Sequence, residues 1–287
     1  MTAPVIHDLG YRRYDGARDG ARGAWWALFW QGFRTMFGLG RPLRAKMIPL
    51  FVIVMTLLTC LGSVVASAAS DGQSPIRYGF LIGSQLLLFV LFLAAQVPEV
   101  ICRDRQHRVL SLLLTRALSR RQYATARLAA VWGATWVVAM APLLVLYVGE
   151  IGIAADPAAQ FAEMGNRMGP VLLHGVLTAW VLGSFAVFMA SLTARRGYAS
   201  ALVVGFFLVT AAVTIGVEDL DVIPAGVSEF LDPLRALRTM AMLLFHETTR
   251  AMELTPPPAV MVFVMVFVVM GGMAAALAFR RMERYEA

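Results

Sequence analysis

The chain has 287 residues, 59% of them hydrophobic and only 15% charged, with a mean hydropathy of +0.69. A soluble domain is about 45–50% apolar and about 25% charged, so this composition excludes a single water-soluble core, and with it disordered, collagen-like and disulfide-stapled chains. The formal net charge is +7, and Lys46 is the one lysine among 25 basic residues; because these residues flank apolar runs, the charge points to an anionic membrane surface rather than to nucleic acid.

Residues 1–22 form a mixed-charge tail in which Arg12, Arg13, Arg18 and Arg22 stand among Asp8, Asp15 and Asp19. This polar start is no signal peptide, and Ala66-Ser67-Ala68 lies too far along to be a cleavage site. Residues 24–38 read AWWALFWQGFRTMFG, with Trp25, Trp26, Phe29, Trp30 and Phe33 at helical spacing and Arg34 elsewhere on the wheel. Aromatics on one face and arginine on another suit a helix in the headgroup plane; a helix packed on other spans is the alternative.

Six apolar runs follow, at about 47–69, 78–101, 124–149, 170–193, 198–217 and 259–279. Each is long enough to cross about 30 Å of hydrocarbon as a helix. The expected fold is therefore an all-α integral membrane protein. It divides into a tail with an interfacial helix (1–46), a six-span body (47–279) and a C-terminal tail (280–287). Pro142 is expected to kink span 3. Only Ala194-Arg195-Arg196-Gly197 separates spans 4 and 5, which forces an antiparallel hairpin. The stretch 218–258 predicts one or two short outer helices. With alternating spans, 20 basic residues fall on the side of the termini and 5 on the other, so both termini are expected in the cytoplasm.

Catalytic constellations are missing from the sequence. His246-Glu247-Thr248-Thr249-Arg250 resembles a zinc-protease helix but has arginine where the second histidine belongs. His174, at the start of span 4, is at most a distant third ligand. There is no Gly-x-Ser-x-Gly elbow, and Lys46 is followed by Met47 rather than Ser or Thr, so no phosphate-binding loop exists. Cys60 and Cys102 lie at different depths of their runs and read as two free thiols.

Residues 101–123 read ICRDRQHRVLSLLLTRALSRRQY. Arg103, Asp104, Arg105 and Arg108 precede Leu110, Leu112, Leu113 and Leu114, and Arg116, Arg120 and Arg121 follow. A short amphipathic helix is expected, with its apolar face against headgroups or in a partner's groove. Ser119-x-x-Gln122 is a capping box for span 3. In span 2, Gln85, Gln96 and Glu99 fall near one face, which serves either a polar path or hydrogen bonds between helices. In span 5, Ala201, Gly205, Ala212 and Gly216 allow close approach of another helix, either across a subunit interface or within ordinary packing.

The layout resembles the membrane permease subunits of ABC exporters, the ABC type 2 permease family. The resemblance rests on the aromatic helix 24–38 before span 1, on Glu99 with Arg103-Asp104-Arg105 and Leu112 to Arg120, on the Ser191–Arg196 turn, and on Leu231-Asp232-Pro233-Leu234-Arg235-Ala236-Leu237-Arg238 before the last span. His107-Arg108 stand where many members carry a small glycine. The resemblance implies a non-catalytic subunit with no cofactor of its own, paired with a second permease, identical or related. Two copies of a soluble ATPase would hold ATP and magnesium. The helix around Asp104–Ala117 and the Arg195-Arg196 turn would receive the ATPase stroke, and spans 1 and 5 would line the route and the subunit interface. The expected role is export of an amphiphilic or lipid-like substrate across a bacterial inner membrane. The alternatives are a mechanotransmitting anchor for an envelope complex and, with least support, a membrane-embedded enzyme.

Overall fold

The computed structural model describes Gly16 and residues 20–70, 76–110, 113, 118–220, 225–245 and 259–285. These form nine helices: α1 (Gly20–Met36), α2 (Leu43–Ala69), α3 (Tyr78–Gln106), α4 (Arg120–Ile153), α5 (Pro157–Ser191), α6 (Arg196–Asp219), α7 (Ala225–Ser228), α8 (Pro233–Leu244) and α9 (Ala259–Glu283). Six helices, α2 to α6 and α9, are long and apolar enough to cross a membrane. The chain is an all-helical, multi-pass membrane protein.

Local chemistry sets the helix starts. Ser119 and Gln122 form the expected capping box: Ser119 Oγ accepts from the Gln122 amide at 3.2 Å, and the Ser119 amide donates to Gln122 Oε1 at 2.9 Å. Asp156 and Asp232 cap α5 and α8, each followed by proline at the first helical position, where a missing N–H costs nothing. Most helices outrun their apolar stretches, because backbone hydrogen bonding does not stop where lipid stops. The divisions expected at 46/47 and 279/280 therefore fall inside α2 and α9. α4 runs unbroken through Pro142, and α3 carries Arg103, Asp104 and Arg105 on its last turns.

Burial sorts the spans into two groups. The apolar windows of α3, α4 and α5 are more than half buried within the chain, whereas those of α2, α6 and α9 are a third buried or less. The inner three thus form the core, built on Phe89, Phe92, Val97, Val131, Leu182 and Val187, and the outer three leave apolar faces outward. α8 folds back against α3, and a methyl group at Gly79 would lie 2.8 Å from Met242 Cα. The fully buried His174 lies 3.3 Å from the Leu237 carbonyl and 3.3 Å from Thr178 Oγ1, which ties α5 to α8.

α1 lies along α4 and the end of α3. The contact is close because Gly32 has no side chain: a methyl there would sit 2.8 Å from Ala130 Cβ. Leu28, Thr35 and Met36 are buried, Phe29 and Phe33 reach Gly133, and the Trp25 indole N–H donates to Thr125 Oγ1 at 3.0 Å. Trp26 and Trp30 point outward, 53% and 41% exposed, so the aromatics divide between the bundle and its surroundings. The turn into α2 uses Gly38 and Gly40 at φ +68° and +78°, a region open to glycine at no steric cost.

Candidate functional site

The termini-side ends of the helices carry most of the charge, and three linked groups of polar contacts tie them together. The first centres on Arg127, in the second turn of α4 and 2% exposed. Its Nη2 donates to Asp104 Oδ2 of α3 and its Nη1 to Gln31 Oε1 of α1, both at 2.5 Å. The Tyr123 hydroxyl donates to the same Asp104 oxygen at 2.9 Å. One guanidinium thus joins α1, α3 and α4. Burying a charge this completely is tolerated only when it is paired and hydrogen-bonded.

The second group centres on Glu99, buried in α3. It accepts from Arg41 of the α1–α2 turn at 2.7 Å and from Arg196, the first residue of α6. A single carboxylate therefore connects the turn after α1 with the start of span 5. The third group ties the α5–α6 turn to its neighbours. Cys102 Sγ lies 3.6 Å from the Ala190 carbonyl and 3.5 Å from that of Thr193, and Arg105 Nη1 donates to the Ser191 carbonyl at 3.4 Å. Tyr285, beyond α9, donates to the same carbonyl at 3.1 Å, with the Arg105 guanidinium 4.2 Å from its ring centre. Burial pushes the Tyr285 phenol up to about 12 despite that cation. Arg121 Nε reaches Glu283 Oε1 at 3.1 Å.

The loop after α3 departs from expectation. Asp104 belongs to the span 2 helix rather than to a separate element, His107 and Arg108 make a turn, and helix resumes at Leu110. Arg108 adopts φ +53°, the left-handed conformation that suits the glycine expected there. Leu110 and Leu118 are buried in the chain's own core, and the half-buried Leu113 packs on it. The loop's apolar side therefore covers this bundle, at least at these positions, not only lipid or a partner. Leu112, Leu114 and Arg116 lie outside the described residues, as do His246 to Arg250.

The remaining candidates separate. Gln85 of α3 donates to the Thr56 carbonyl, Thr59 Oγ1 and Cys60 Sγ of α2, so it joins two helices. Gln96 is buried, and its Oε1 has no partner among the described residues. On α6 the buried residues are Ala199, Val203, Phe207 and Thr214. Ala201 and Ala212 are exposed, and nothing lies within 4 Å of a methyl placed at Gly205 or Gly216. The small-residue stripe thus faces out of the chain and takes no part in its internal packing. Arg127, Arg41 and Tyr285 are residues sequence reasoning passed over; for Arg127, an arginine followed by an apolar run, with aspartate on the preceding span, is the signal that marks it.

This is a six-helix membrane subunit whose ion pairs sit at both ends of its spans, with the contacts that join its termini-side loops at one of them, and form no reaction centre among the described residues. The sequence pattern of the ABC-2 family transporter proteins matches residues 68–275, well over half of the chain. The chain belongs to this family: it is a permease subunit of an ABC transporter, a class that works in association with ABC ATPases. A comparison with curated proteins finds no match.

Proposed function

We propose that this permease is driven by a separate soluble ATPase that docks on the termini-side end of the bundle, and that it exports an amphiphilic or lipid-like substrate. The observation that carries the reading is the joining of two loops, distant in sequence, through Glu99, Cys102 and Arg105. A push on His107-Arg108 or on Arg195-Arg196 would reach α3, α5 and α6 together, and through Glu99 and Arg127 it would reach α1. That is the wiring a two-state element needs if nucleotide is to bias it from outside the membrane. ATP and magnesium belong to the ATPase, in two copies, since no phosphate-binding loop exists in this chain.

The excess of basic residues at this end favours a cytoplasmic orientation in a bacterial inner membrane, with both termini inside. The outward Trp26, Trp30 and Arg34 support a place in the headgroup layer for α1. The outward small-residue stripe of α6 supports pairing with a second permease there. The nearly charge-free spans support an apolar or amphiphilic cargo.

Docking is tested by co-purification from the native host in mild detergent. An ATP-hydrolysing partner is expected with the unmodified chain, and its recovery is expected to fall at least tenfold with Arg108→Glu plus Arg195→Glu. Both side chains are exposed, so the fold should survive the change. Equal recovery would contradict docking at this surface.

A further inference from the structure

A cleft of about 490 Å³ opens between α1, the α1–α2 turn and the end of α3, lined by Trp30, Gln31, Arg34, Thr35, Arg41 and Arg103 among others. Its charge is unbalanced. Arg34 and Arg103 take no carboxylate among the described residues, and Arg41 shares its carboxylate, Glu99, with Arg196. Arg41 Nη2 is buried with no hydrogen-bond partner among the described residues. The nearby Asp104 offers no relief, because Arg127 and Tyr123 occupy it. Three guanidiniums, of Arg34, Arg41 and Arg103, therefore line the recess, and the one carboxylate paired with any of them is shared with Arg196; the recess has a size typical of small-ligand sites.

We propose that this cleft binds a phosphate group, and that the phosphate is the headgroup of an anionic phospholipid. Arginine suits the role because its planar fork donates paired hydrogen bonds to phosphate oxygens and is weakly hydrated. Gln31 and Thr35 add neutral donors on the same wall. A lipid fits better than free phosphate because the cations adjoin exposed apolar surface: Trp26, Trp30 and Leu39 are 53%, 41% and 53% exposed. Acyl chains can lie along those side chains while the phosphate enters the recess, as in other basic pockets at the cytoplasmic ends of spans. The lipid would then brace α1 against α3 beside the Glu99 and Arg127 contacts. The inference rests on the placement of α1 in the headgroup layer proposed above.

The test is a titration of the purified full chain with phosphatidylglycerol in nanodiscs of phosphatidylcholine, read by native mass spectrometry, with no ATPase present. Failure of ATPase docking therefore leaves this result unaffected. Saturable phosphatidylglycerol binding is expected, weakened about fivefold for each arginine removed in Arg34→Gln and Arg103→Gln. Both residues are exposed, so folding should persist. Arg34→Lys with Arg103→Lys keeps the charge and is expected to keep most of the binding. Arg280→Gln, elsewhere on the same end, should bind as the unmodified chain does. Unchanged affinity in the double Gln variant, or equal loss in Arg280→Gln, would overturn the site. Saturable binding of inorganic phosphate to the chain in lipid-free detergent, lost in the same double variant, would overturn the lipid as the source.

Discussion

Arg127→Ala is expected to destabilise the permease by about 3–5 kcal/mol, the largest effect of any single polar substitution at this end of the bundle. Asp104, 13% exposed in the intact pair, would lose its guanidinium, and among the described residues only the Tyr123 hydroxyl would remain to it. Hydrogen bonds between neutral groups in membrane proteins average well under 1 kcal/mol, but that figure does not govern here, because what is left behind is a nearly buried charge. The partner swap separates the two effects. Asp104→Leu with Arg127→Met removes both charges and fills their volume, and it is expected to recover all but about 1–2 kcal/mol of the loss. Unfolding midpoints in mild detergent check both. If the double variant is as unstable as Arg127→Ala, the loss arises from α1 detaching at Gln31, not from an unpaired charge.

Glu99→Gln is expected to loosen the connection between the α1–α2 turn and α6 while the protein still folds. The amide retains hydrogen-bonding capacity but loses its charge towards two arginines. Arg41 is largely buried, so its lost partner should cost about 2 kcal/mol. The Arg196 side chain is 59% exposed, and solvent screens most of its share. The functional effect should exceed the energetic one, because Glu99 is the one described side chain that bridges these two elements. Spin labels at Leu39→Cys and Tyr198→Cys, both exposed positions, report it directly. A narrow distance distribution is expected with Glu99 and a broad one with Gln. Identical distributions would remove Glu99 from the transmission path.

Much of this architecture was legible in the sequence because it follows from local rules. Six apolar runs became six helices long enough to span, Ser119 and Gln122 capped α4, and the apolar pattern after span 5 became α7 and α8. The helix ends were less legible, since hydropathy marks where lipid contact stops and not where hydrogen bonding stops; Arg103 to Gln106 prolong α3 for that reason. The leucines after Arg108 led to the expectation of an amphipathic helix without indicating what it would cover, and Leu110 and Leu118 seat in the chain's own core. The three polar groups were not legible. Arg127 and Asp104 are 23 residues apart, Arg196 and Glu99 nearly a hundred, and no periodicity registers a pair across that distance. The reason Arg108 can replace a glycine is likewise conformational: the backbone holds it at φ +53°.

An ATPase can reach the arginine-rich end, with its two joined loops, only if that end faces the cytoplasm. Both native cysteines are buried, which keeps background labelling low. The deciding measurement is maleimide labelling of His107→Cys and Leu220→Cys, exposed at opposite ends of the bundle, in intact and permeabilised spheroplasts. An impermeant maleimide is expected to label Leu220→Cys in intact spheroplasts and His107→Cys only after permeabilisation. Labelling of His107→Cys in intact spheroplasts would place the arginine-rich end outside the cell and out of an ATPase's reach.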